Sequence, residues 1–255
     1  MSKNISIVTT FSDDGYHNYG KFFLESCTRF LNPLIEVLIY KDNVDIPEQK
    51  NFKILNLENS IPELTQFKER NKFRNEGNVK FQYQSIRFSH KVYALYHAAF
   101  NTNSRYLIWL DSDTELYDSV SPEYFRNFLP EDFFVGYLGR DNKGFSECGF
   151  MIFDLNHKFS KDFFNRFKWY YDTDELYKLK EWHDSFIFDV VRKEFETEEK
   201  FKSINLSAHV NKHHFNSVLD GYIMHLKGDR KGKREKMMEK SQKRKGELAK
   251  VRPSW

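Results

Sequence analysis

Tyr106-Leu107-Ile108-Trp109-Leu110-Asp111-Ser112-Asp113-Thr114 is an apolar run of strand length that ends abruptly in two carboxylates one residue apart. The run fits a buried strand. In open α/β sheets ligands lie beyond the carboxyl ends of the strands, so Asp111 and Asp113 project to where a small molecule would sit. Paired carboxylate oxygens suit a hard divalent cation, Mg²⁺ or Mn²⁺, and such a cation can hold the phosphates of a nucleotide. The structural alternative is that these acids merely end a strand or cap the next helix.

Upstream of this segment, Ile5 to Thr10 reads as a first strand, and Gly15 to Leu31 carries Phe22, Phe23, Cys27, Phe30 and Leu31 at helical spacing. Ile35 to Tyr40 and Phe52 to Leu57 read as two more strands around a polar turn with Pro47, and Pro62 starts a short helix. An amphipathic stretch from Phe81 to Phe100 delivers the chain to the acidic strand. Downstream, Asp132 to Leu138 and Gly149 to Asp154 read as strands joined by a loop from Gly139 to Cys148. Phe159 to Tyr171 and Trp182 to Phe195 read as helices, and Lys202 to Leu206 as a late strand. Alternation of strands and helices implies an α/β fold with a mostly parallel sheet.

A chain of 255 residues can bury a substantial core as one α/β domain, and an aromatic fraction of 17% supplies the bulk for it. No apolar stretch reaches the roughly 18 residues of a membrane span, and the N-terminus lacks a secretory pattern, so a cytoplasmic protein is expected. Cys27 and Cys148 are too few for a disulfide framework and read as reduced, packed thiols. The formal charge of +3 is uneven: residues 227–255 hold 12 Lys/Arg against 4 Asp/Glu, a net +8, which leaves −5 for the preceding residues. We therefore divide the chain into a domain at 1–232 and a basic, helical C-terminal tail at 233–255. Such a tail suits an anionic membrane surface, at the inner face, or the phosphates of a ligand, better than nucleic acid; the structural alternative is a solvated helix.

The second signal is His225-Leu226-Lys227-Gly228-Asp229-Arg230-Lys231, of the form H-x-x-G-x-x-K. An imidazole can complete the coordination of a cation held by two carboxylates, a glycine lets backbone approach phosphate oxygens, and a lysine neutralises them. Joined to Thr9-Thr10 at the end of the first strand, Phe88-Ser89-His90-Lys91 on the helix before the acids, and Trp109 to Thr114, the sequence resembles GT-A fold, nucleotide-sugar-dependent glycosyltransferases. It is most similar to the retaining glycogenin and lipopolysaccharide galactosyltransferase group, family 8. The resemblance implies a Rossmann-like GT-A domain that moves a hexose from a UDP-sugar to an acceptor hydroxyl, on a glycan, a lipid-linked molecule or a protein. It implies Asp111, Asp113 and His225 as metal ligands for Mn²⁺ or Mg²⁺. Thr9, Thr10, Lys91, Ser112, Gly228 and Lys231 fall to the donor, with Tyr16 or Tyr19 to stack on the base. The Pro-Trp that follows the late lysine in that group is replaced here by Gly232-Lys233.

Asp184, in His183-Asp184-Ser185, and Glu147, before Gly149, are the candidates to face the acceptor, and either could serve as general base if the reaction inverts. Their structural alternatives are a helix cap and an ordinary loop acid. His209, His213 and His214 lack the spacing of a second metal site. Two other readings remain open: a nucleotidyltransferase, disfavoured by the acidic Thr10 to Tyr16 segment, and a non-catalytic protein that binds nucleotide sugars or polyanions through its tail.

Overall fold

The computed structural model describes residues 4–75, 79–140, 144–207 and 217–225. Gly228, Lys231, the tail at 233–255 and His209, His213 and His214 lie outside the described residues.

In chain order the elements are strand β1 (Ile5–Phe11), a helical turn α1 (Asp13–Gly15), α2 (Lys21–Phe30), β2 (Ile35–Lys41), β3 (Phe52–Asn56), α3 (Leu57–Ser60), α4 (Pro62–Asn71) and α5 (Ser85–Asn101). There follow β4 (Tyr106–Leu110), β5 (Thr114–Leu116), α6 (Pro122–Arg126), β6 (Phe133–Leu138), β7 (Glu147–Asp154), α7 (Ser160–Asp172), α8 (Asp184–Thr197), β8 (Lys202–Asn205) and β9 (Ile223–His225). Among the described residues seven strands form one sheet in the order β3-β2-β1-β4-β7-β6-β8. All of them run the same way except β7, which is antiparallel to both β4 and β6. The α/β class and the mostly parallel sheet expected from the sequence are both present.

Every residue of β4 is buried, and its side chains alternate between two cores. Leu107 and Trp109 join Val8, Met151 and Phe153 under α4, α5, α7 and α8, where Phe67, Val92, Leu95, Phe163, Phe167 and Phe188 pack. Tyr106, Ile108 and Leu110 join Ile7, Phe11, Phe150 and Ile152 under α2 and α6, with Phe23, Cys27, Leu116 and Phe125. At about 1.5–3 kcal/mol for each fully buried large apolar side chain, this double-sided packing fixes β4 at the centre of the sheet. The acids that follow it are therefore held by a strand buried on both faces.

The structure departs from the sequence-based expectation in several segments: Glu147 and Cys148, read from sequence as loop, belong to β7, and β5, α6 and β9 are not among the expected elements. The helix read from Gly15 to Leu31 is interrupted: α1 leads into a π-helical turn at Tyr16–Gly20 before α2 begins. Gly20 is required there because a Cβ would lie 2.6 Å from two carbons of the Phe11 ring. The amphipathic stretch at Phe81 opens as a 3₁₀ turn, Phe81–Tyr83, and becomes α-helical only at Ser85. No helix among the described residues is long and apolar enough to cross a membrane.

Candidate active site

Asp111 follows the last residue of β4, and a tight turn holds it: the carbonyl of Asp111 accepts from the Thr114 backbone N–H at 3.0 Å and from the Thr114 hydroxyl at 2.7 Å. The turn feeds β5, which pairs antiparallel with β9, and the register sets Thr114 opposite His225. This short ribbon closes the gap between the mid-chain acids and the late histidine. His225 is buried, and its Nε2 lies 2.7 Å from Oδ1 of Asp113 and 3.8 Å from Oδ2 of Asp111. One ligand atom from each of the three residues falls within 4.8 Å of the others, so Asp111, Asp113 and His225 could hold a metal ion. Two carboxylates and one imidazole match a hard to borderline divalent cation.

Gly149 completes this cradle. A Cβ there would lie 3.1 Å from Cε1 of His225, 3.2 Å from Oδ2 of Asp111 and 3.2 Å from Oε1 of Glu147. Its carbonyl accepts from the Asp111 N–H at 3.0 Å, and it lies where the partner of β6 jumps from Met151 to Glu147, an irregularity of the kind that re-aims side chains beside sites. We expect Gly149→Ala to fold but to bind Mn²⁺ roughly tenfold more weakly or worse, as disturbed outer contacts of metal ligands generally do. Titration of Mn²⁺ followed by electron paramagnetic resonance measures this, and unchanged affinity would count against the cradle.

Lys91 enters from α5 beneath the acids. Its ammonium lies 2.9 Å from Oδ1 of Asp111, 2.7 Å from Oδ2 of Asp184 and 2.8 Å from the carbonyl of Cys148. It donates to that carbonyl and forms ion pairs with the two carboxylates. Burial works against the charge of Lys91, but Asp111 and Asp184 outweigh it, and the pKa of the lysine is driven up. The Trp109 indole donates to the same Oδ1 of Asp111 at 2.7 Å, so an ammonium and an indole N–H both face that oxygen. Asp184 is almost wholly buried at the start of α8, where the preceding His183 accepts from the Phe186 N–H through Nδ1 at 3.3 Å. Asp184 is thus not the helix cap; His183 is.

In front of the acids lies a cavity of about 720 Å³, large enough for a nucleotide. It is lined by Thr10, Ser12, Asp14, Gly15, Asn18 and Tyr19 from the end of β1 and the helical turns after it, by Phe81, Arg87, Phe88, His90 and Lys91 from the 3₁₀ turn and α5, and by Trp109, Asp111, Ser112 and Asp113 from the end of β4 and the turn after it. Burial raises the pKa of Tyr19, and Asp113 adds to the rise, while a hydrogen bond with Ser112 and the charge of Arg87 oppose it. Burial and then Lys68 lower His90 to about 4, so the ring is neutral near pH 7.

Of the residues singled out from sequence, Asp111, Ser112, Asp113, Thr10, Lys91 and Tyr19 border this cavity. Tyr16 instead packs edge-on against Phe11 and joins the core under α2. Thr9 is buried on the sheet face of Ile7 and Phe11, and its hydroxyl has no hydrogen-bond partner among the described residues. Glu147 is buried in an ion pair with Arg140, beside the metal cradle rather than in the cavity wall. Arg87 is not among the residues singled out from sequence; its position four residues before Lys91 on one helix is the available signal.

No protein-family model and no curated protein matches this chain. Among solved structures, mouse xyloside xylosyltransferase 1 is similar at a TM-score of 0.49 and 11% identity, over 78% of this chain and 84% of that one. The WbbM bifunctional glycosyltransferase gives 0.48 and 11%, over 75% of this chain and 38% of that one. The glycosyltransferase GlyE of Streptococcus pneumoniae gives 0.45 and 12%, over 78% and 44%. This chain thus spans under half the length of the latter two. Likeness at this level does not say what this chain acts on.

Proposed function

We propose that this chain is a metal-dependent glycosyltransferase of the GT-A type that transfers a hexose from a UDP-sugar to an acceptor hydroxyl with retention at the anomeric carbon. The observation that carries the reading is the convergence of Asp111, Asp113 and His225 at the end of a nucleotide-sized cavity. Mn²⁺ or Mg²⁺, when bound, would supply positive charge to the donor's diphosphate as the glycosidic bond breaks. The protein's own contribution is placement. Lys91 and Trp109 fix Oδ1 of Asp111, which leaves Oδ2 turned toward His225. Tyr19 offers a ring to the nucleobase, and Thr10 and Ser112 offer hydroxyls to the nucleotide.

In the retaining reaction the bond from the anomeric carbon to the phosphate oxygen breaks and the bond to the acceptor oxygen forms on the same face. The acceptor proton passes to the departing phosphate oxygen, so no protein base is needed. We read Asp184, which forms an ion pair with Lys91, as a residue for the acceptor side. We read the tail at 233–255 as a contact for an anionic membrane surface in the cytoplasm.

The test is incubation with Mn²⁺ and a panel of nucleotide sugars, with UDP release measured and the product anomer assigned by NMR. UDP release from one donor, abolished by chelation, is the expected result. Silence with every donor, together with no thermal shift from UDP plus Mn²⁺, would overturn the reading; release with an inverted product would overturn retention alone.

A further inference from the structure

Among the described residues the cavity wall carries two cationic side chains, Arg87 and Lys91, since His90 is neutral near pH 7. They are not equivalent. Lys91 donates to the Cys148 carbonyl and lies 2.9 Å and 2.7 Å from carboxylate oxygens of Asp111 and Asp184, so a phosphate would have to compete with two carboxylates for its charge. Its charge is already matched by two carboxylates, one of them a metal-ligand candidate. A lysine that the resemblance assigns to the donor is thus committed to holding the site together.

Arg87 lies one helical turn earlier on α5, on the face that also presents Lys91. It is exposed, and its side-chain hydrogen bond is a long one, from Nη1 to Oε1 of Gln84 at 3.3 Å. The guanidinium lies 6.0 Å and 5.8 Å from the ring centroids of Phe81 and Phe88, two further residues of the same wall. It is also within electrostatic reach of Tyr19, the tyrosine that feels Asp113 and Asp111. A guanidinium so placed has donors to give, in the forked geometry that fits two phosphate oxygens.

We propose that, of the two cationic side chains in the described cavity wall, Arg87 rather than Lys91 binds the diphosphate of the nucleotide donor and stabilises its charge as it leaves. The proposal rests on the nucleotide-sugar reading above and adds to it a phosphate-contact residue that the sequence motifs do not include. Lys91 then acts as a positioning residue, and Arg87 touches the leaving group.

The test uses the full chain and two probes, Mn²⁺ with UDP and Mn²⁺ with inorganic pyrophosphate, each titrated calorimetrically into wild type, Arg87→Gln and Arg87→Lys. Arg87→Gln should weaken both probes roughly 10- to 100-fold, because both carry the diphosphate, and Arg87→Lys should recover part of the loss. Because the side chain is exposed, the ligand-free melting temperature should stay that of wild type. Binding of both probes by Arg87→Gln as tightly as by wild type would overturn the proposal and leave the donor reading standing. Weakening of UDP alone would also overturn it, by placing Arg87 on the nucleoside. Failure of wild type to bind either probe would remove the donor reading and this proposal together.

Discussion

Asp113→Asn should abolish Mn²⁺-dependent binding of UDP and lower UDP release from the donor by about 100-fold or more, while the protein still folds. The substitution is nearly isosteric, and the amide oxygen can still accept from Nε2 of His225, which lies 2.7 Å from the carboxylate in the native site. What is lost is one negative charge out of two. A divalent cation held by one carboxylate and an imidazole loses most of its binding, and removal of a preorganised charge from the leaving group costs about 3 kcal/mol or more of barrier. The hydrogen bond at stake for stability is worth only about 1 kcal/mol, so the melting temperature should move by a few degrees at most. Calorimetry with UDP and Mn²⁺, paired with a UDP-release assay, separates the two effects. An Asp113→Asn protein with undiminished Mn²⁺ dependence would return the acids to a structural role and favour the non-catalytic reading, in which the tail carries function.

Much of this site is legible in the amino-acid sequence, and the reason is chemical. The run from Tyr106 to Leu110 is apolar on both faces, which only a central strand tolerates, and its abrupt end at Asp111 marks the sheet's mouth. His225 is legible because an imidazole three residues before a glycine is a recognisable pattern, although the pattern says nothing about what brings it to the acids. That is done by the β5–β9 ribbon, whose strands of three residues each are too short to show a period of two. The π-helical turn at Tyr16–Gly20 is equally hidden. Its i→i+5 spacing admits an extra residue and re-aims the side chains, so a reading at 3.6 residues per turn does not distinguish Tyr16, which packs on Phe11, from Tyr19, which lines the cavity. The commitment of Lys91 cannot be read from sequence at all, because its three partners come from the turn after β4, from β7 and from α8, and meet only in the fold.

That commitment makes the second large effect one of stability. Lys91→Met should cost about 3–5 kcal/mol, as removal of one partner from a buried ion pair generally does. The methionine fills a similar volume, so the loss is electrostatic: Asp184, with 3% of its side chain exposed, keeps its carboxylate without the ammonium 2.7 Å away, and Asp111 loses the ammonium 2.9 Å from its Oδ1. The double substitution Lys91→Met with Asp184→Asn should recover a substantial part of that loss, since a neutral amide is far less costly to bury than a lone carboxylate. It should not recover UDP release, because Asp111 would still lack the ammonium that orients it toward His225. Urea unfolding of wild type and the two variants, read as free energies, tests the first statement, and the release assay tests the second. A Lys91→Met protein within about 1 kcal/mol of wild type would show that Lys91 contributes little to holding Asp111 and Asp184 together, and its ammonium would then be available to the donor's phosphates in competition with Arg87.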